Sequence, residues 1–232
     1  MINVLFPSGY KCVVCGAEIK PNVFSVCDTC FKLLPHIAGK VCLTCGEPLF
    51  SDANYCLNCK NTKHSFTKCF APFTFENQIV KLIHKLKYDG KKYLAKPLGN
   101  FMFKCFMEQN LKVDLVVPVP LHTSRQKERG FNQAEELCNA FVSHGFNVNT
   151  TCVSRVKQTT TQTNLNKVER KENLLGAFKV NSRLDVKGKV VLIVDDVYTT
   201  GATFNELASV LVKAGASKVF GLTCAHTMLN KS

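Results

Sequence analysis

A chain of 232 residues, 46% hydrophobic and 20% charged, is long enough for one sizeable core and a small satellite module. Its 30 Lys and Arg outnumber 17 Asp and Glu for a formal net charge of +13, a balance that suits polyanionic partners. The opening MINVLFPSGYKC has a short apolar run without a basic leader or cleavage signal, so neither export nor a membrane span is supported and a cytoplasmic location is expected.

Four C-x-x-C pairs come first: Cys12/Cys15, Cys27/Cys30, Cys42/Cys45 and Cys56/Cys59. They lie in an internal repeat, since GYKCVVCGAEI and GKVCLTCGEPL align with Gly9 over Gly39, Gly16 over Gly46 and Ile19 over Leu49. Each knuckle sets two thiolates about one tetrahedral edge apart, and where a glycine follows the second Cys, as at Gly16 and Gly46, it relieves the turn. Two knuckles complete one Zn²⁺ shell, which predicts a double zinc ribbon over residues 1–66 with a second domain over 67–232. Sequential pairing assigns Cys12, Cys15, Cys27 and Cys30 to one zinc and Cys42, Cys45, Cys56 and Cys59 to the other; a cross-braced pairing stays open. With four Cys each, neither metal keeps the open position that catalysis requires, so both are structural. His64 reads as an ordinary loop histidine. Disulfides are disfavoured, because 13 cysteines leave an odd thiol in any full pairing.

Beyond the ribbons, Cys69 to Phe75 has strand character. Residues Glu76 to Tyr88 place Ile79, Leu82, Ile83 and Leu86 on one helical face, with His84 and Lys87 off that stripe. Asp89-Gly90 ends this helix, and Lys91 to Phe106 resumes it with an expected interruption at Pro97. Lys85, Lys87, Lys91 and Lys92 form a basic cluster that reads first as a solvated face; Lys87 is kept as a weak site candidate.

From Val113 the pattern is α/β: strand Asp114 to Val119, helix Asn132 to Ser143, strands Thr151 to Val156 and Ala177 to Val180, a strand from Val190, a helix carrying Leu207, Val210, Leu211 and Ala214, and a final strand Lys218 to Cys224. Cys69, Cys105, Cys138, Cys152 and Cys224 read as small buried hydrophobes. The segment VPVPLHTSRQKERGFNQ, Val117 to Gln133, presents Arg125, Lys127 and Arg129 around a Gly-containing turn, a charge that suits a diphosphate. Lys157 to Asn173 is long and polar; it reads as a lid in which Lys157, Gln158, Thr161, Gln162 and Arg170 could reach a phosphate, or as a plain linker.

The run VVLIVDDVYTTGAT, Val190 to Thr203, carries the most chemistry. Val190 to Val194 are aliphatic without polar interruption, as in a central parallel strand covered on both faces. Asp195 and Asp196 then stand at the carboxyl end, where open α/β sheets bind ligands, placed to accept hydrogen bonds from vicinal hydroxyls. Thr199, Thr200, Gly201, Ala202 and Thr203 follow, a small-residue turn whose amides and hydroxyls can converge on a phosphate at a helix N-terminus. No G-x-x-x-x-G-K-[ST] string and no strand-linked G-x-G-x-x-G occurs.

This run resembles the phosphoribosyl-pyrophosphate (PRPP) loop of type I phosphoribosyltransferases, and VPVP followed by Arg resembles the diphosphate loop of the amidophosphoribosyltransferase version. The ribbons, RGFNQAE at Arg129 to Glu135, the Lys157 to Asn173 segment and VDDVYTTGAT together resemble the ComF family over nearly the whole chain. The resemblance implies a type I phosphoribosyltransferase-like parallel sheet with an N-terminal Cys₄ double zinc ribbon. It implies that Mg²⁺ accompanies PRPP, that Asp195 and Asp196 hold ribose hydroxyls, that Thr199 to Thr203 grip the 5′-phosphate, and that Arg125 and Arg129, with backbone amides over Leu121, His122, Thr123 and Ser124, receive the departing diphosphate. It also implies a role in handling single-stranded DNA during natural transformation, with competence or DNA-transport proteins as partners. Thr199 stands where hypoxanthine-type relatives carry an acid, which argues against that acceptor class; any acceptor pocket must come from about Phe66 to Lys112. The rival reading is a non-catalytic module that senses PRPP while ribbons and lysines engage single-stranded DNA or a protein.

Overall fold

The computed structural model describes residues 10–157 and 174–228. The elements run α1 (Asp28–Leu33), α2 (Leu57–Lys60), β1 (Lys68–Phe70), β2 (Phe73–Thr74), α3 (Asn77–Tyr88), a 3-10 turn (Lys92–Leu94), α4 (Ala95–Met107), β3 (Leu115–Pro118), α5 (Thr123–Arg129), α6 (Gln133–Ser143), β4 (Val153–Arg155), β5 (Phe178–Val180), β6 (Val190–Tyr198), α7 (Ala202–Lys213) and β7 (Lys218–His226). The main sheet is parallel, in the order β1, β7, β6, β3, with β2 continuing the β1 edge along β7.

The period of two along β6 builds two cores. Leu192 and Val194 face α3, α4 and α6, meeting Ile79, Leu82, Phe101, Leu137 and Phe141. Val191 and Ile193 face the opposite side, where Leu207, Ala208 and Leu211 of α7 join Val153 and Phe178. Both faces are covered, which is why this strand is an unbroken aliphatic run. The same alternation sends Asp196 toward α3 and Asp195 toward the other face.

Three local expectations change. Pro97 does not interrupt its helix, because it falls in the first turn of α4, where no intrahelical N–H bond is lost. The basic segment after β3 is a helix, α5, from Thr123 to Arg129, closed by Gly130 in the left-handed conformation. β4 and β5 do not enter the parallel sheet; they pair antiparallel with each other, Val153 opposite Val180 and Arg155 opposite Phe178. Each is three residues long with one buried end, enough to lay a small flap over the α7 face but too short to be covered on both sides.

The ribbons are duplicates down to their hydrogen bonds. Cys12 N donates to Ala17 O and Gly16 N to Cys12 O; thirty positions on, Cys42 N donates to Glu47 O and Gly46 N to Cys42 O. The first ribbon packs on the α4 side, with Phe24 stacked 4.2 Å from Phe101. The second shares the opposite core with Phe66, Tyr198 and Phe204. It lies against β1: Cys69 N donates to Thr44 O at 2.7 Å, and a Cβ on Gly46 would come within 2.7 Å of Cys69 O. No helix among the described residues is long and apolar enough to cross a membrane.

Candidate functional site

The thiols assemble as two groups, Cys12, Cys15, Cys27 and Cys30, and Cys42, Cys45, Cys56 and Cys59, with the sulfurs of each group within 4.8 Å of one another. The pairing is therefore sequential. A tetrahedral zinc with Zn–S bonds of about 2.3 Å sets sulfurs about 3.8 Å apart. Cys15 and Cys27 stand 3.9 Å apart and Cys45 and Cys56 3.7 Å, so both donor sets fit structural Zn²⁺. Backbone groups of Cys15, Cys27 and Val14 overcome the effect of burial and hold the Cys12 thiol down at about 6. His64 is not a bystander: its Nε2 lies 3.4 Å from Cys59 Sγ and its ring 4.7 Å from that of Phe66.

A cavity of about 310 Å³ opens at the carboxyl end of β6. Of the residues singled out from sequence, Asp195, Asp196, Thr199, Gly201, Thr203, Leu121, Arg125, Arg129 and the weak candidate Lys87 all line it. Thr200 and Ala202 stay in the turn behind, where Ala202 N donates to Thr200 Oγ1 at 3.4 Å. His122, Thr123 and Ser124 lie outside the lining at the start of α5, and the Ser124 amide is turned to His122 Nδ1 at 3.3 Å. Lys157 is exposed and off the cavity. Gln158, Thr161, Gln162 and Arg170 lie outside the described residues.

The acid pair is electrostatically split. Asp196, 4% exposed, carries the Lys87 ammonium on Oδ2. Burial alone would raise its pKa, but Lys87 and then Asp195 hold it below the ordinary carboxylate range. Lys87 is held above its ordinary value in turn, the charge of Asp196 outweighing burial. Asp195 has the opposite fate: burial, then the neighbouring Asp196 charge, push its pKa well up. The Asp196 amide donates to Asp195 Oδ1 at 2.8 Å.

Gly201 sits at φ +77°, caps α7 and is pressed on by Tyr198, whose hydroxyl occupies the space a Cβ would need. Glycine is therefore required twice over, for the left-handed backbone and for the close approach. The α7 N-terminus, Thr199 and Thr203 then bound one end of the cavity.

Two contributors escaped the sequence reading. Arg155, on β4, lines the cavity with its guanidinium 5.5 Å over the Phe178 ring; burial, then the charge of Arg125, lowers its pKa, and Asp195 opposes that fall. The visible signal was a charged side chain on the same strand face as buried Val153. From α3, Val80, Ile83, His84 and Tyr88 also line the cavity. His84 and Tyr88 stand 4.7 Å apart, and Arg129 lies 4.9 Å over the Tyr88 ring while donating to Gln133 Oε1 at 3.0 Å.

Residues 1–60 match the family described as double zinc ribbon domain, and residues 92–229 match the phosphoribosyl transferase domain. Competence protein ComFC of Streptococcus pneumoniae is 30% identical over 226 residues, covering 90% of this chain and 96% of its own. Competence protein F of Haemophilus influenzae is 28% identical over 218 residues, covering 90% of this chain and 94% of its own. DNA utilization protein YhgH of Escherichia coli K12 is 28% identical over 215 residues, covering 90% and 93%. With its ribbon and transferase domain in the same order and nearly the full length of these relatives matched, the chain belongs to the ComF family.

Proposed function

We propose that the cavity at the end of β6 binds PRPP with Mg²⁺, and that the protein is a phosphoribosyltransferase-type enzyme acting in the handling of single-stranded DNA during natural transformation, in the cytoplasm. The observation that carries the reading is the convergence of Asp195, Asp196, Thr199, Gly201, Thr203, Arg125 and Arg155 on one concave surface. The three regions match what the sugar diphosphate presents: carboxylates for the ribose hydroxyls, a helix N-terminus with hydroxyls for the 5′-phosphate, guanidiniums for the diphosphate.

A divalent cation fits here, because the Asp195 carboxyl lines the cavity and its ionisation, suppressed first by burial and then by Asp196, would be favoured by added positive charge. When bound, Mg²⁺ would be held by Asp195 together with PRPP oxygens and would neutralise diphosphate charge. The chain's own residues do the rest. Thr199 and Thr203 fix the phosphate, Asp195 orients the ribose, and Arg125 and Arg155 stabilise negative charge that develops on the leaving diphosphate. Apolar Val80 and Ile83 exclude water from the reacting carbon.

Release of diphosphate from PRPP, screened over nucleobases and ammonia with and without single-stranded DNA, tests the reading. Turnover abolished by Asp195→Asn supports the enzyme. A second reading, the non-catalytic binding module, is favoured by Lys87 on Asp196, because an acid committed to an internal ammonium accepts a sugar hydroxyl less readily. Salt-dependent DNA binding unchanged by Asp195→Asn, with no product from any acceptor, would select it.

A further inference from the structure

The two ribbons are alike in sequence but not in what they touch. The first meets α4 on the far side of the sheet, through Phe24 against Phe101. The second reaches the turn read above as the phosphate site, by two routes.

One route is polar. The Ser65 amide, just past the last Cys of the ribbon, donates to Asn205 Oδ1 at 2.7 Å. Asn205 lies in the first turn of α7, and its own amide donates to Gly201 O at 2.8 Å. The other route is aromatic. His64 stands against Cys59 Sγ and on the Phe66 ring. Phe66 meets Tyr198 edge-on, with centroids 6.4 Å apart, and Tyr198 is held from behind by His226 at 4.4 Å. The Tyr198 hydroxyl, buried without a hydrogen-bond partner among the described residues, then presses on Gly201. Interiors packed this closely transmit a shift in one layer to the next.

We infer that the second ribbon positions the Thr199–Thr203 turn through Asn205, Phe66 and Tyr198, so that PRPP affinity depends on the integrity of the second Cys₄ site and not of the first. Asn205, Phe66 and Tyr198 are positioning residues; among the described residues lining the cavity, none of the three appears. The inference rests on the phosphate reading for its ligand, but the coupling itself concerns the shape of the turn.

The test uses the full zinc-loaded chain. Asn205→Ala keeps every metal ligand and should retain two zinc ions, with the melting midpoint lowered by no more than a few degrees. It should weaken PRPP binding roughly fivefold to tenfold, the value of one lost hydrogen bond, and quicken amide exchange over 199–205 alone. Cys56→Ser should quicken exchange in the same segment and weaken PRPP, whereas Cys27→Ser should do neither. Equal effects from both cysteine variants, or unchanged affinity and exchange in Asn205→Ala, would overturn the inference. Should Cys56→Ser fail to fold, Asn205→Ala and Phe66→Leu decide. A wild-type chain that does not bind PRPP would end the phosphate reading instead, and the exchange comparison would still judge the coupling.

Discussion

The Lys87 ammonium of α3 lies on Oδ2 of Asp196 in β6, joining the helix that walls the cavity to the strand that carries its acids. Removing one partner of such a buried pair costs more than the pair contributes, because the survivor keeps its charge without compensation. Lys87→Met should lower unfolding stability by about 3–5 kcal/mol at pH 7, and adding Asp196→Asn should restore much of it. Denaturant midpoints check both. The depressed pKa of Asp196 means its stabilisation is present above the ordinary carboxylate range and is lost as pH falls through the folded value. Wild type should therefore lose stability in acid faster than the double variant.

Asp195 titrates in the opposite sense. Burial and Asp196 keep it protonated above the ordinary carboxylate range, and it must ionise to accept ribose hydroxyls or a cation. Binding of PRPP with Mg²⁺ should tighten as pH rises through that raised value, with net proton release. Calorimetry in buffers of different ionisation enthalpy would show it, and Asp195→Asn should abolish the release. Heats independent of buffer in wild type would contradict the assignment.

Gly201→Ala adds a Cβ at φ +77° against the Tyr198 hydroxyl. The backbone strain alone is about 1–2 kcal/mol, so PRPP affinity should fall at least roughly tenfold. Tyr198→Phe in that background should recover part of the loss by vacating the space. Equal affinity of the single and double variants would show that the close approach plays no part.

Arg155→Ala should weaken inorganic diphosphate and PRPP by about 10–100-fold, the worth of a hydrogen bond to a charged group. Lys127→Ala, exposed on α5 and off the cavity, should change neither beyond its share of overall charge. The comparison separates a specific guanidinium from general basicity.

The limits of sequence reading follow from which neighbours are local. Val190 to Thr203 displayed strand, acids and turn because all three are contiguous. The Cys pairs displayed two metal sites because each knuckle is a local structure, although only folding revealed that they pair sequentially. Arg155 was hidden because its role depends on β4 meeting β5 across more than twenty residues. Lys87 read as one lysine of a solvated cluster and no more than a weak site candidate, since the helix face it shares with His84 becomes a cavity wall only when Asp196 arrives from more than a hundred residues away. The region Phe66 to Lys112 was named as the source of any acceptor wall, and α3 lies within it; its ring-bearing surface, His84 and Tyr88, carries no linear signature. His64 looked ordinary because its partner, Cys59, was already counted as a complete ligand.

Calorimetric titration of the zinc-loaded chain with PRPP and Mg²⁺ decides whether the turn behind β6 holds the sugar diphosphate. It should show one saturable site per chain that is lost when Asp195 and Thr203 are both replaced, as Asp195→Asn and Thr203→Val, while zinc content and melting midpoint are kept. Undiminished PRPP affinity in that folded double variant would contradict it.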